Sequence, residues 1–286
     1  MRYEFIRAEK AEYPVSVLCR TMRVSRSGFY AFCAATESVR AAVDRRLAQK
    51  ILEVFMAYDA TYGSPRVHRE LRDEWGWRVG RKRVSRLMRQ EGLCARRKRR
   101  FRCTTDSRHD DPIAPNLLQR NFQVSGPNRV WLSDVTYIPT REGWLYLAVV
   151  LDLWSRRIVG WSMSAALNSQ LTCDALLMAV EQRRPSGPWI LHSDRGKEYT
   201  ANRFRRLLAD RGGIASMSRK GDCWDNAPAE SFFSTLKGER VSRRRYNNRI
   251  DARADLFSYI ELFYNLRRRH SSIDYQSPAT MEAAAA

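Results

Sequence analysis

Between residues 129 and 164, three runs rich in β-branched and aromatic residues follow one another with little chain between them. R-V-W-L-S-D-V-T-Y-I-P begins at Arg129, G-W-L-Y-L-A-V-V-L-D-L-W-S at Gly143, and R-R-I-V-G-W-S-M-S at Arg156. Connections this short cannot carry a crossover, so the three strands must run antiparallel. The rhythm then changes. Residues 168–183 place Leu171, Ala175, Leu176 and Ala179 on one side of a helix, and P-W-I-L-H-S-D is a fourth, buried strand. Residues 200–211 are helical, and I-A-S-M-S is a short fifth strand. Asp225 or Asn226 stands where it can cap a helix carrying Phe232, Phe233 and Leu236. The pattern is α/β, a mixed five-stranded sheet with flanking helices. The stretch D-L-F-S-Y-I-E-L-F-Y-N-L-R-R-R-H reads as an amphipathic helix ending in a cationic run.

The chain before this is all-α. In residues 14–34, Val15, Leu18, Cys19 and Met22 recur at helical spacing, and Ser25 can cap a second short helix with Phe29, Tyr30 and Phe32. This is either a small helix-turn-helix or two amphipathic helices that only pack on the rest. Residues 44–60 form a helix with Leu47, Ile51, Leu52 and Phe55 on its apolar stripe. Next, Gly63 breaks, Ser64 caps, Pro65 takes the first helical position, and Val67 and Leu71 face inward. A further helix buries Val84, Leu87 and Met88 and stops at Gly92. Arg81, Lys82, Arg83, Arg86 and Arg89 are left on its exposed face, which suits a DNA-reading helix-turn-helix or a solvated charged helix. Arg97, Lys98, Arg99 and Arg100 belong to a run too like-charged to pack.

Lys and Arg number 51 against 31 Asp and Glu, a net charge of +20. That imbalance points to a polyanionic partner, nucleic acid first. No apolar stretch reaches the ~18 residues of a membrane span, and the first residues carry no apolar signal core, so a cytoplasmic, nucleoid-associated protein is expected. Six scattered cysteines form no C-x-x-C pair and read as reduced, mostly buried residues. The spacing of His68, Cys94, Cys103 and His109 matches no zinc pattern.

A chain that binds phosphates should keep carboxylates away from them unless a cation bridges the two. Asp134 lies in W-L-S-D-V-T-Y, Asp194 closes W-I-L-H-S-D, and Glu230 opens E-S-F-F-S-T-L-K, 36 positions after Asp194. If the first and fourth strands are neighbours, Asp134 and Asp194 can face each other, and a helix crossing the sheet can bring in Glu230. Oxygen ligands so gathered suit Mg²⁺, with Mn²⁺ as a substitute. Two such ions can activate an attacking oxygen and stabilise a leaving one. Lys237 returns to the face of Glu230 two turns on, where it either holds DNA backbone or is a surface lysine. Asp152 can contact the site or pair with Arg156; Asp222 and Asp225 flank the late helix; His192 can assist proton transfer or simply pack; Arg219 and Lys220 are candidate DNA contacts.

These acids and their surroundings resemble the insertion-sequence transposases of the OrfB type, which carry a D,D,E integrase catalytic core. The resemblance rests on W-L-S-D-V-T-Y, G-W-L-Y-L-A-V-V-L-D-L-W-S-R, H-S-D-R-G-K-E-Y, S-M-S-R-K-G-D-C-W-D-N-A-P-A-E-S-F-F and F-Y-N-L-R-R-R-H-S-S-I-D-Y-Q-S-P, and reaches back to Y-G-S-P-R-V. Asp222, in place of the usual asparagine, and Lys197, in place of the usual small residue, depart from the family. The resemblance implies an RNase H-like core with Asp134, Asp194 and Glu230 as the metal-binding triad. It also implies cleavage and joining of transposon-end DNA. Expected partners are double-stranded DNA at ends and target, a second copy or more of the chain, and an upstream-frame product of the same element. The rivals are a catalytically inactive DNA-binding protein (a repressor or remnant) and an RNase H-like nuclease. The expected organisation is an N-terminal helical segment that is either a helix-turn-helix or a pair of packing helices (1–43), a helix-turn-helix-like DNA-binding domain (44–95), a basic linker (96–124), the catalytic core (125–245), and a C-terminal helix and tail (246–286).

Overall fold

The computed structural model describes residues 2–34, 38–95, 112–219 and 223–285. The chain divides into two compact units, residues 1–94 and 95–286.

The first unit is helical: α1 (Arg2–Glu9), α2 (Val15–Thr21), α3 (Arg26–Ala34), α4 (Val39–Ala57), α5 (Ser64–Asp73) and α6 (Arg81–Gln90). The opening helix α1 is not evident from the sequence pattern. It supplies Ile6 to a small core with Leu18, Cys19 and Phe29, and Tyr3 stacks on Phe32. The Ser25 hydroxyl accepts from the Gly28 N–H, capping α3 as expected. Along α4 the buried stripe is Leu47, Ile51, Val54 and Phe55, and Leu52 is exposed. Leu52 sits about 100° round the helix from Ile51, off the stripe that the others define. Gly63, not Ser64, holds the N-cap position of α5, so the expected start is late by one residue. Gly92 follows α6 with φ of +65°, the left-handed stop that glycine allows. Tyr58 stacks on Tyr62 and donates to the buried Glu70 carboxylate at 2.6 Å, tying the end of α4 to α5.

The second unit is built on β1 (Val130–Thr140), β2 (Gly143–Asp152), β3 (Ile158–Ser164), α7 (Ser169–Arg183), β4 (Trp189–Ser193), α8 (Lys197–Thr200), α9 (Asn202–Asp210), β5 (Gly213–Met217), α10 (Ala227–Glu239), α11 (Arg249–Phe257) and α12 (Pro278–Ala283). The sheet order is β3-β2-β1-β4-β5. The β1–β2 and β2–β3 pairs are antiparallel, and β1–β4 and β4–β5 are parallel, so the expected mixed five-stranded sheet is present. Strand alternation splits the core in two. Leu145, Leu147, Val149 and Leu151 of β2 meet Phe232, Phe233 and Leu236 of α10 on one face. Ala148 and Val150 meet Leu171, Ala175 and Leu176 of α7 on the other. Burying both faces requires near-continuous apolar strands, which is why β2 reads as it does.

The segments flanking the sheet join this unit. Leu118 is buried, Phe122 and Val124 pack on the α10-side core, and the Leu117 N–H donates to Ser216 Oγ at 2.9 Å. After α11 the chain continues as a π-helical stretch, Ser258–Tyr264, that buries Tyr259, Ile260 and Tyr264. The cationic run that follows is not a solvated end. Arg268 is buried against Glu239, donating to both carboxylate oxygens at 2.6 and 2.8 Å, and Tyr259 adds a third donor. Glu282 of α12 is held by Arg157, Arg183 and Ser155, closing the chain onto the β2–β3 turn. Among the described residues no helix is long and apolar enough to cross a membrane. Of the described cysteines, Cys19 and Cys173 are buried but Cys33 and Cys94 are exposed.

At Gly160, β3 and α7 approach closely. A Cβ there would collide with the Ala175 carbonyl and the Ala179 methyl. Gly160→Ala should therefore cost about 1–3 kcal/mol of unfolding free energy in urea denaturation of the full chain. Unchanged stability would show that this contact can relax.

Candidate active site

The parallel pairing of β1 with β4 positions the first two acids. Its last matched pair is Leu132 with His192. Two residues further along each strand lie Asp134 and Asp194, where β4 has ended and β1 continues beside β2 alone. Asp134 Oδ1 accepts from the Val135 N–H at 2.8 Å. Asp194 Oδ1 accepts from the Gly196 N–H at 3.0 Å, an Asx turn that swings the chain into α8. Arg195 donates to the Ser218 carbonyl at 2.7 Å and fixes that turn to the end of β5. Glu230 stands in the first turn of α10, whose apolar face (Ala229, Phe232, Phe233, Leu236) is seated on the sheet. A carboxylate there also faces the positive end of the helix dipole.

The three acids feel one another. Burial, then Asp194, push the Asp134 carboxyl well above the ordinary carboxylate range; Glu230 and Glu198 add to this, and the Val135 N–H opposes it. Burial and Asp194 likewise raise Glu230. Glu198 in α8 is a fourth carboxylate in this field that the sequence reading passed over, although it stands in the quoted H-S-D-R-G-K-E-Y phrase. Lys237 is a half-buried neighbour of the acids rather than a surface lysine. Its ammonium lies 4.6 Å from the Tyr137 ring centroid. Burial pushes it down to about 8, against the pull of Asp134. The buried Tyr199 phenol is raised by burial and by Asp134 and Asp194, and it shares a 3.0 Å hydrogen bond with Ser133 Oγ. Carboxylates that raise each other's protonation form an oxygen-rich set that a hard cation would relieve, so the donor chemistry fits Mg²⁺ or Mn²⁺. The described residues nevertheless contain no group of three or more His, Cys, Asp or Glu spaced to hold a metal ion.

The competing residues are built into the fold. Asp152 is fully buried; its Oδ1 accepts from the Trp154 and Ser155 N–H groups and its Oδ2 from Asn128 N–H and Trp131 Nε1. It organises the β2–β3 turn. His192 is buried between Ser216 and Ser218, at 2.8 and 3.1 Å, and burial pushes it down to about 4, so it packs as a neutral ring. Asp225 is not the cap of α10. Fully buried in the 3-10 turn Cys223–Asn226, it accepts from the Arg219 N–H and guanidinium, from Arg120 and from Asn116. Arg219 is thereby engaged with Asp225. Lys220 and Asp222 fall outside the described residues, as do Arg97, Lys98, Arg99, Arg100, Cys103 and His109. In the helical unit, Arg83 and Arg86 each donate to Asp44 at 2.6 Å, bracing α6 to α4. Arg81, Lys82, Arg86 and Arg89 line a cleft of about 420 Å³ with Ser64 and Pro65. His68 Nε2 is bonded to the Val79 carbonyl at 2.9 Å.

Two family models, each described as "Integrase core domain", match residues 124–223 and 212–278, and one described as "HTH-like domain" matches 42–101. The "Insertion element IS600 uncharacterized 31 kDa protein" of Shigella sonnei is 44% identical over 92% of this chain and 96% of its own length. The "Transposase InsF for insertion sequence IS3A" of Escherichia coli strain K12 is 41% identical over 99% of this chain and 98% of its own. Among solved structures, the HTLV-2 integrase catalytic core domain covers 56% of this chain and 99% of its own at 16% identity, with a TM-score of 0.42.

Asp225 gives the site a measurable acid dependence. Hydrogen bonds from Arg219 hold its carboxyl well below the ordinary carboxylate range, with Arg120 adding to them. The stability it contributes is thus complete above the unfolded value of about 4 and is lost as pH falls below it. Asp225→Asn should lower stability at pH 7 by about 1.5–3 kcal/mol. It should also flatten the decline below pH 4 in urea titrations. A variant that declines as steeply as the wild type would remove Asp225 from this role.

Proposed function

The chain belongs to the insertion-sequence transposases with an integrase core, and on that premise we propose that it cleaves transposon-end DNA and joins the resulting 3′-hydroxyl to another strand. Its fold is an RNase H-like α/β core preceded by an all-α helix-turn-helix region. The observation that carries the reading is the gathering of Asp134 from β1, Asp194 from the end of β4 and Glu230 from α10 into one electrostatic neighbourhood. Divalent cations held there would activate the attacking oxygen and stabilise the leaving one in an in-line displacement. Asp134, Asp194 and Glu230 are the residues we assign to hold Mg²⁺ or Mn²⁺, two ions per site.

The remaining residues bind and orient. Lys237, kept beside Asp134 by its seat over Tyr137, supplies a positive charge for the backbone phosphate next to the scissile one. The cleft lined by Arg81, Lys82, Arg86 and Arg89 takes duplex phosphates, with Arg83 serving α6 itself through Asp44. The basic residues at 97–100 and Lys220 are further candidate DNA contacts. Two transposon ends must be held together for joining, so the active form contains at least two copies of the chain. An upstream-frame product of the same element is a second candidate partner.

Glu230→Gln should lower Mg²⁺-dependent cleavage of a duplex bearing the element's ends by about 10²-fold or more, since a transition-state contact is removed. Salt-sensitive DNA binding should persist. Equal cleavage by variant and wild type would contradict the assignment; nicked ends without joined strands would favour a nuclease; binding without cleavage by the wild type would favour a DNA-binding protein alone. The Lys237 charge is present below pH about 8 and lost above it. Lys237→Arg should therefore hold its cleavage rate to higher pH than the wild type. Superimposable pH profiles would show that this charge does not act at the site.

A further inference from the structure

Something must hold α10 at the right height over the sheet, because Glu230 is carried by a helix and its partners by strands. Asn226 stands one turn before Glu230, at the position where a side chain would ordinarily cap α10. It makes no capping hydrogen bond. Pro228, two residues on, has no N–H to offer it. Asn226 instead turns to the sheet. Its Nδ2 donates to the Ser133 carbonyl at 3.3 Å, one residue beyond the last β1–β4 pair and one before Asp134. The amide orientation follows from its partner, since a flipped side chain would set two acceptor oxygens against each other. Asn226 is buried, and its Oδ1 has no hydrogen-bond partner among the described residues. The unmatched oxygen is a cost that the fold accepts at this position. The adjacent Asp225 locks the same turn from the other side through Arg219, Arg120 and Asn116.

We propose that Asn226 is a positioning residue: its amide anchors the start of α10 to the strand carbonyl beside Asp134 and so sets the separation between the helix-borne and strand-borne carboxylates. This rests on the reading of Asp134, Asp194 and Glu230 as one cation site. In this role Asn226 acts through Glu230.

The test is Mn²⁺ binding to the full chain, read from the loss of the free-ion electron paramagnetic resonance signal, in wild type, N226A, E230Q and the double variant. N226A should weaken binding by about tenfold, as loss of a group that orients a metal ligand does. In the E230Q background it should add less than about twofold, because two residues acting as one unit are not additive. N226A binding within about twofold of wild type overturns the inference. So does an equal loss in both backgrounds, which marks a general effect on folding. If thermal melting shows N226A unfolded, N226S, whose hydroxyl is too short to reach the Ser133 carbonyl, takes its place with the same expected pattern. A wild type without saturable Mn²⁺ binding, or an E230Q chain that binds as wild type does, overturns the cation reading itself and this inference with it.

Discussion

The second unit depends on how far β1 and β4 stay paired. Their parallel ladder runs from Val130–Ile190 to Leu132–His192 and then stops, while β1 continues against β2 for eight more residues. Beyond that fork one strand is left without its neighbour, and Asp134 and Asp194 stand on its two sides. Two carboxylates could not share a closed, dry sheet interior, since burial alone would force them to take up protons. At the fork they are half-buried and within each other's field, and burial still pushes the Asp134 carboxyl upward, which leaves the pair receptive to a positive charge. The rest of the unit serves this arrangement. The faces of the sheet are covered by α7 and α10, and α10 brings Glu230 to the fork from one of those faces.

Buried polar groups then fix what apolar packing leaves loose. Asp152, Asp225, His192 and Arg268 are each enclosed and each supplied with partners from distant parts of the chain. Each would be costly to bury alone, so each specifies one arrangement of its neighbours. Asp225 joins the segment before β1 to the start of α10. Arg268, through Glu239, ties the end of α10 to the chain beyond the π-helical stretch. Helix α10 is thus held at both ends by charge pairs, while its middle is held by phenylalanines.

Much of this was legible in the sequence. The strands announce themselves by alternation and by short connections, and Asp134, Asp194 and Glu230 by the phrases around them. The proximity of Asp134 to Asp194 required only that the first and fourth strands be neighbours. What stayed hidden was long-range pairing between polar groups, because periodicity reports which face a side chain takes and not which partner it meets. Arg83 and Arg86 look like solvated cations until Asp44, some forty residues earlier, is found against them. Arg268 looks like part of an exposed tail until Glu239 is found beside it. Asp225 looks like a helix cap because its position is right for one, yet three residues from two other segments, Asn116, Arg120 and Arg219, supply it with better donors. Glu198 was overlooked because a carboxylate four residues after Asp194 draws notice only once α8 folds it back beside Gly196.

The proposed chemistry requires three carboxylates, from β1, the end of β4 and α10, to share divalent cations. The described residues hold them as electrostatic neighbours without a closed ligand set of three, and in the proposed reaction a bound cation would draw them together. The most direct measurement is a crystal structure of the chain grown with Mn²⁺, with data collected at the manganese absorption edge. Anomalous density is expected between Asp134, Asp194 and Glu230, with oxygen atoms of all three as ligands. Manganese bound elsewhere, with these three side chains turned to separate surroundings, would contradict it.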